Sequence, residues 1–191
     1  MNAPKNKQGR YQKIQPPKHI GPRSTTSEAD FIQYGHAPGP LSIECKNHRG
    51  WMYLNDEDIK DLIIKSHELD AMPVLIGRRF HYTTRTNLLE PGGIIAHETF
   101  LQYYPADQAA VAAQVQDKTL LGFTDVTSVE EPHERTTKFL TSILPKIITP
   151  MAAKWKTNRD SLLSYARGEI QLAQLYNAIG SPAAGNWEDQ Q

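Results

Sequence analysis

Ser27–Gly50, SEADFIQYGHAPGPLSIECKNHRG, carries two apolar runs around a turn. Residues 28–34 (EADFIQY) and 41–47 (LSIECKN) have strand-forming residue types, and GHAPGP between them supplies two glycines and two prolines. That pattern reads as a β-hairpin. Strand side chains alternate between faces, so residues two apart share one face. Glu28 therefore lies with Asp30, and Glu44 with Lys46, while Ile43 and Cys45 fall on the opposite, core-facing side.

Working outward from the hairpin, Asn55 is positioned to cap a helix over 56–69, whose first turn holds Asp56, Glu57 and Asp58. Acids there suit the positive end of the helix dipole. Ile59, Leu62, Ile63, Ser66 and Leu69 give that helix one apolar side. PVLIGRRF (73–80) follows, and its near-continuous apolar run predicts a strand buried on both faces. Strand, helix and strand of these lengths imply a parallel crossover. Further along, a turn is expected at 90–93, a strand or short helix at 94–104, a helix at 106–118 and a strand at 119–126. A helix from 132 toward 144 is expected to be interrupted at Pro145, and a long one over 158–179 to close at Gly180. The fold class is α/β (α+β): a mixed central sheet flanked by helices, with a helical C-terminal part from about residue 132. A basic irregular arm (1–26), with a short strand near 11–14, precedes this single domain (27–180), and a flexible tail (181–191) follows it.

With 191 residues, 39% apolar and 22% charged, the chain can bury one ordinary core. Formal net charge is zero but unevenly spread: residues 1–85 hold 13 Lys/Arg and 9 Asp/Glu, the remainder 8 and 12. Residues 1–23 carry six cations, Lys13 and Lys18 among them, and no acid. Such an arm attracts polyanions or is simply a solvated tail. The single cysteine, Cys45, precludes an internal disulfide framework and any Cys-x-x-Cys zinc pair. No apolar run approaches membrane-spanning length, and a cytoplasmic protein without membrane contact is the expectation.

Acids inside strands are costly unless paired or bound to a cation. Two carboxylates with room for water suit Mg²⁺, and a neighbouring lysine can orient water or neutralise charge on a phosphate. An acid on one strand, Glu44-x-Lys46 on the next, then a helix and a buried parallel strand resembles the PD-(D/E)XK nuclease superfamily, which includes restriction endonucleases and Holliday-junction resolvases. The resemblance covers residues 27–80. It implies a restriction-endonuclease-like fold and Mg²⁺-dependent hydrolysis of nucleic-acid phosphodiesters, most directly of DNA, with Mn²⁺ as a substitute ion. Asp30 and Glu44 would hold the metal with the Cys45 backbone carbonyl, Glu28 standing as a further ligand, and Lys46 would complete the catalytic set. Ala29 replaces the proline of the family dipeptide. Many members also carry an acid on a helix before the hairpin, for which this chain offers little room.

RRFHYTTR places Arg78, Arg79, Tyr82 and Arg85 after the parallel strand, where arginines beside aromatics suit backbone contact and base stacking. With Lys13 and Lys18 they form the expected nucleic-acid surface. A second acid-x-Lys copy, Asp58-Ile59-Lys60, is read as a solvated feature of the helix start. His97-Glu98 and His133-Glu134 lack the second histidine of a zinc-protease helix, those positions being Leu101 and Thr137. Two alternatives stay open: a catalytically inactive nucleic-acid-binding or assembly subunit of the same fold, and a sheet-surface ion pair between Lys46 and Asp30 or Glu28. A homodimer or larger complex is compatible with either activity.

Overall fold

Met72–Gly77 is buried at every position, and the main sheet is built around it. The computed structural model describes residues 17–117, 119, 122–128 and 133–184. The strand expected near 11–14, Lys13 with the rest of the arm to residue 16, and the tail from 185 lie outside them.

The chain enters through a small antiparallel pair, β1 (His19–Ile20) and β2 (Arg23–Ser24), closed by Gly21 at φ 57°. This part of the expected irregular arm is thus hydrogen-bonded, and Thr25 N and Ala29 N donate back to the carbonyls of Lys18 and Pro17. β3 (Phe31–Gln33) and β4 (Leu41–Lys46) form the hairpin, antiparallel with Phe31 opposite Ile43. Helix α1 (Glu57–Glu68) then crosses over to β5 (Met72–Gly77), which lies parallel to β4 with Glu44 opposite Leu75. Asp56, not Asn55, occupies the N-cap position of α1, and its Oδ2 accepts from Tyr53 N.

A helical link follows: α2 (Tyr82–Thr84), a wide π turn (Arg85–Leu89) and α3 (Glu90–Gly92). It leads to β6 (Ile95–Glu98), parallel to β5. Between α3 and β6, Gly93 adopts φ 81°, and a Cβ there would collide with the backbone of Met151 and Trp155. Only glycine satisfies both conditions. The four-stranded order is β3-β4-β5-β6, and the mixed sheet, flanking helices and helical C-terminal part expected from the sequence are all present.

β7 (Gln102–Tyr104), α4 (Ala109–Gln116) and β8 (Val126–Ser128) make a satellite in which β7 and β8 pair in parallel. The strand expected at 119–126 therefore begins only at Val126. α5 (Glu134–Lys138) continues through a π turn (Phe139–Ile143) into α6 (Leu144–Ala166). Pro145 does not interrupt this run: it sits in the first turn of α6, where a missing N–H costs least. Gly168 at φ 74° breaks the long helix expected over 158–179, so α7 (Leu172–Ala178) is separate.

Alternation along β4 and β5 sends residues into two cores. Leu41, Ile43, Val74 and Ile76 pack with Phe139, Leu144 and Ile148. Leu75 faces the other way, onto Ile59, Leu62, Ile63, Trp155 and Leu162 of α1 and α6. Ser42 and Glu44 share that second face and are 0% and 2% exposed. A carboxylate therefore lies between the sheet and α1.

His97 of β6 is the other buried ionisable group of interest. Its ring stacks on Phe139 (centroids 4.2 Å, 8° between planes), and Nε2 has no hydrogen-bond partner among the described residues. Burial, assisted by Arg135, pulls its pKa down to about 4. The unfolded chain then binds the proton more readily, so His97 contributes stability fully above the unfolded value near 6.5 and loses it as pH falls toward 4. The loss should reach roughly 2–3 kcal/mol. In urea titrations His97→Phe should flatten the decline between pH 7 and 4; an identical decline in both proteins would assign it elsewhere.

Candidate functional site

β3 begins at Phe31, opposite Ile43, and Asp30 lies just before it, beside Glu44. Like charges facing each other across a sheet repel, yet the backbone clasps this pair. Asp30 N donates to Glu44 Oε1 (3.2 Å), and Cys45 N donates to Asp30 Oδ2 (2.7 Å). Burial, and the charge of Glu44, raise the Asp30 carboxyl above its ordinary value, against the lowering effect of the Cys45 hydrogen bond and of both nearby lysines.

Lys46 reaches back to Glu44 Oε2 (3.0 Å) and across to Asp58 Oδ1 (2.9 Å), while His48 Nε2 meets Asp58 Oδ2 at 2.7 Å. Burial works against the Lys46 charge, but the bonds to Asp58 and Glu44 outweigh it and raise its pKa. Asp58 is correspondingly lowered, its contacts with Lys46 and His48 outweighing its burial. The acid of the second acid-x-Lys copy is therefore a partner of Lys46, whereas Lys60 turns to Glu57 at 2.6 Å.

A second lysine enters from α1. Lys65 is 1% exposed, and its ammonium donates to Glu44 Oε1 (2.8 Å), Asp61 Oδ2 (2.9 Å) and the Glu28 carbonyl (2.8 Å). Those acceptors match the three N–H groups of an ammonium. Lys46 has two carboxylate partners and a side chain 22% exposed, which leaves one N–H for a ligand. Lys65 is thus structural and Lys46 available. Sequence reading passed over Lys65 because Asp61 and Lys65, four apart on a helix, look like a surface pair. The visible clue is its place beside Leu62, Ser66 and Leu69 on the apolar side.

The remaining expected site residues separate. Glu28 brings its backbone carbonyl to the cluster, while its carboxylate lies 3.6 Å from Lys18. Cys45 is exposed and not a core residue. Protein still hems it in, and this, with Asp30 and Glu44 beside it, pushes its thiol up to about 12. That shift disfavours the thiolate a nucleophile needs. Arg78 is held by Asp125 and the Arg49 carbonyl, and Arg85 by Glu90 and Glu98. Both expected phosphate contacts therefore carry carboxylate partners. Arg79 has none among the described residues; its guanidinium lies over Trp51 and Phe100 at 5.3 and 5.5 Å. Tyr82 is 75% exposed.

The donor set fits a hard cation that brings its own water. No group of three or more His, Cys, Asp or Glu converges among the described residues. The two carboxylates retain acceptor capacity: Glu44 takes two donors on Oε1 and one on Oε2, and Asp30 takes the Cys45 N–H on Oδ2. Mg²⁺ is bound in this manner, by one or two carboxylates with water and phosphate oxygens filling the other positions. Comparison with family models, curated proteins and solved structures finds no match to this chain.

Because Glu44 and Lys65 are buried together, removing one should cost more than removing both. Lys65→Met should lower the unfolding free energy by about 3 kcal/mol, and Glu44→Leu combined with Lys65→Met should recover most of it. A double variant whose loss in urea denaturation equals the sum of the two single losses would show that the pair is not coupled.

Proposed function

We propose that this chain is a Mg²⁺-dependent nuclease hydrolysing phosphodiester bonds, most directly those of DNA, with the restriction-endonuclease-like arrangement that its sequence resembles. One observation supports the reading: Glu44 accepts from Asp30 N and from Lys46, and the Asp30 carboxylate accepts from Cys45 N between them, so the hairpin's acids and lysine are neighbours. Asp30, Glu44 and the Cys45 carbonyl would hold the metal, which when bound supplies Lewis-acid activation of phosphate and water.

The chain's own groups have distinct tasks in this scheme. Lys46, with its pKa raised, keeps its proton and acts as a donor and fixed charge, not as a general base. Its free N–H would orient the attacking water or meet charge growing on the phosphoryl oxygens. Asp58 fixes the lysine's direction from one side and Glu44 from the other. Lys65 holds Glu44 in place from behind.

A second reading, a nucleic-acid-binding or assembly subunit that does not cut, draws on the same contacts: both partners of Lys46 are carboxylates of its own chain, an arrangement that can be purely structural. Supercoiled, linear, branched and single-stranded DNA, and RNA, incubated with Mg²⁺ or Mn²⁺ separate the two. Cleavage by the wild type that falls about 100-fold or more in Lys46→Ala supports hydrolysis. Binding without cleavage supports the second reading, and unchanged cleavage by Lys46→Ala contradicts the assigned role.

A further inference from the structure

Beyond Lys46, the β4 strand runs into a segment that alternates outward and inward. Trp51 and Tyr53 are 46% and 47% exposed, while Met52 between them is 2% exposed and belongs to the core. The segment is pinned to the one that follows β5. Met52 N donates to the Arg79 carbonyl (3.1 Å), and the Met52 carbonyl accepts from His81 N (2.9 Å) and Thr84 Oγ1 (3.1 Å). Phe80 N in turn donates to Glu98 Oε1 at 2.9 Å. The aromatic rings therefore sit on a fixed backbone and are not loop ornaments.

The rings are arranged as a platform. His81 stacks on Tyr53 at 5.0 Å and meets Trp51 edge-on at 6.3 Å. Arg79 completes it over Trp51, and its Nε is buried without a hydrogen-bond partner among the described residues. Its neighbours Arg49 and Arg78 both pair with Asp125. Arg79 is thus a cation held beside aromatic faces with no acid paired to it among the described residues.

A cleft of about 460 Å³ leads from this platform back to the candidate site. Its walls include His48, Arg49, Trp51, Asp56, Glu57 and Asp58, and Asp58 touches Lys46. Three carboxylates against one arginine leave the cleft acidic, a poor seat for a phosphate backbone. They suit the amino edges of bases, which donate from cytosine N4 or adenine N6. A duplex shows those amino groups only in its major groove, and a base face that stacks on an aromatic ring must be unpaired. An aromatic face, a carboxylate for the base edge and an arginine at the rim together match single-stranded nucleic acid.

We propose that Trp51, Tyr53 and Arg79, with the adjoining acidic cleft, are a stacking site for unpaired bases, and that single-stranded or splayed nucleic acid is the substrate class delivered to Lys46. This assignment of substrate rests on the hydrolytic reading of the Asp30–Glu44–Lys46 site.

The test uses the full chain in EDTA, so that binding is read without cutting. A short mixed-sequence DNA strand and its blunt duplex are titrated, following tryptophan quenching and the anisotropy of a labelled strand. The single strand should bind about tenfold or more tighter than the duplex, and Trp51→Ala and Tyr53→Ala should each reduce that affinity several-fold without moving duplex binding. Both side chains are exposed, and circular dichroism checks that the variants fold. Equal affinity for strand and duplex, or single-strand affinity untouched by both substitutions, overturns the proposal, including the case in which the cleft serves a cationic peptide instead. Adding Mg²⁺ separates the two claims. Trp51-dependent single-strand binding without cleavage removes the hydrolytic reading and keeps the stacking site, whereas cleavage of strand and duplex alike, unaffected by Trp51→Ala, removes the stacking site and keeps hydrolysis.

Discussion

The Glu44 carboxylate, with a side chain only 3% exposed, lies between two ammonium groups 2.8 and 3.0 Å away. An uncompensated carboxylate at that depth would cost several kcal/mol, so the surrounding elements are constrained by the need to satisfy it. β3 must run close enough for Asp30 N to donate. α1 must lie over this face of the sheet so that Lys65 reaches in. The segment after β4 must turn so that Asp58 comes within reach of Lys46. The crossover that buries Leu75 under α1 is the same one that delivers Lys65.

Charges alternate along a chain through the site: Asp61, Lys65, Glu44, Lys46, Asp58 and His48. Asp30 joins from the side through backbone hydrogen bonds and not through a cation of its own. Four acids face two lysines, so the cluster keeps an excess of negative charge. Burial first, and the charge of Glu44 after it, raise the Asp30 carboxyl within this cluster. A divalent cation would relieve the excess, with carboxylate oxygens already on one side and the open N–H of Lys46 beside them.

The parts of this arrangement legible in the sequence are those set by local periodicity. Alternation in EADFIQY and LSIECKN gives the shared face of Glu44 and Lys46, and the apolar run at 73–80 gives the central strand. Contacts between distant segments were not legible. Asp125 neutralises Arg78 from 47 residues away, which no spacing rule reveals. Asp61 and Lys65 stand four apart on a helix, a spacing that solvated surface pairs share, so only the sheet packed over α1 distinguishes Lys65. Cys45 alternates correctly with Ile43, yet at the end of the strand that face is no longer covered, and it is exposed. Pro145 failed to stop a helix because a π turn shifts the hydrogen bonding just before it, and Gly168 ended one that apolar periodicity alone would have continued.

The platform and the ion cluster meet at Asp58, which lines the aromatic-walled cleft and binds Lys46. In the proposed scheme this carboxylate would link base binding to hydrolysis, and hydrolysis alone depends on whether Asp30 and Glu44 accept a cation. Calorimetric titration of the full chain with Mn²⁺, repeated on Asp30→Asn, measures this without reference to catalysis. The account predicts one site in the wild type and its loss, or a weakening of about tenfold or more, in the variant. No Mn²⁺ binding by the wild type, or equal binding by both proteins, would contradict it.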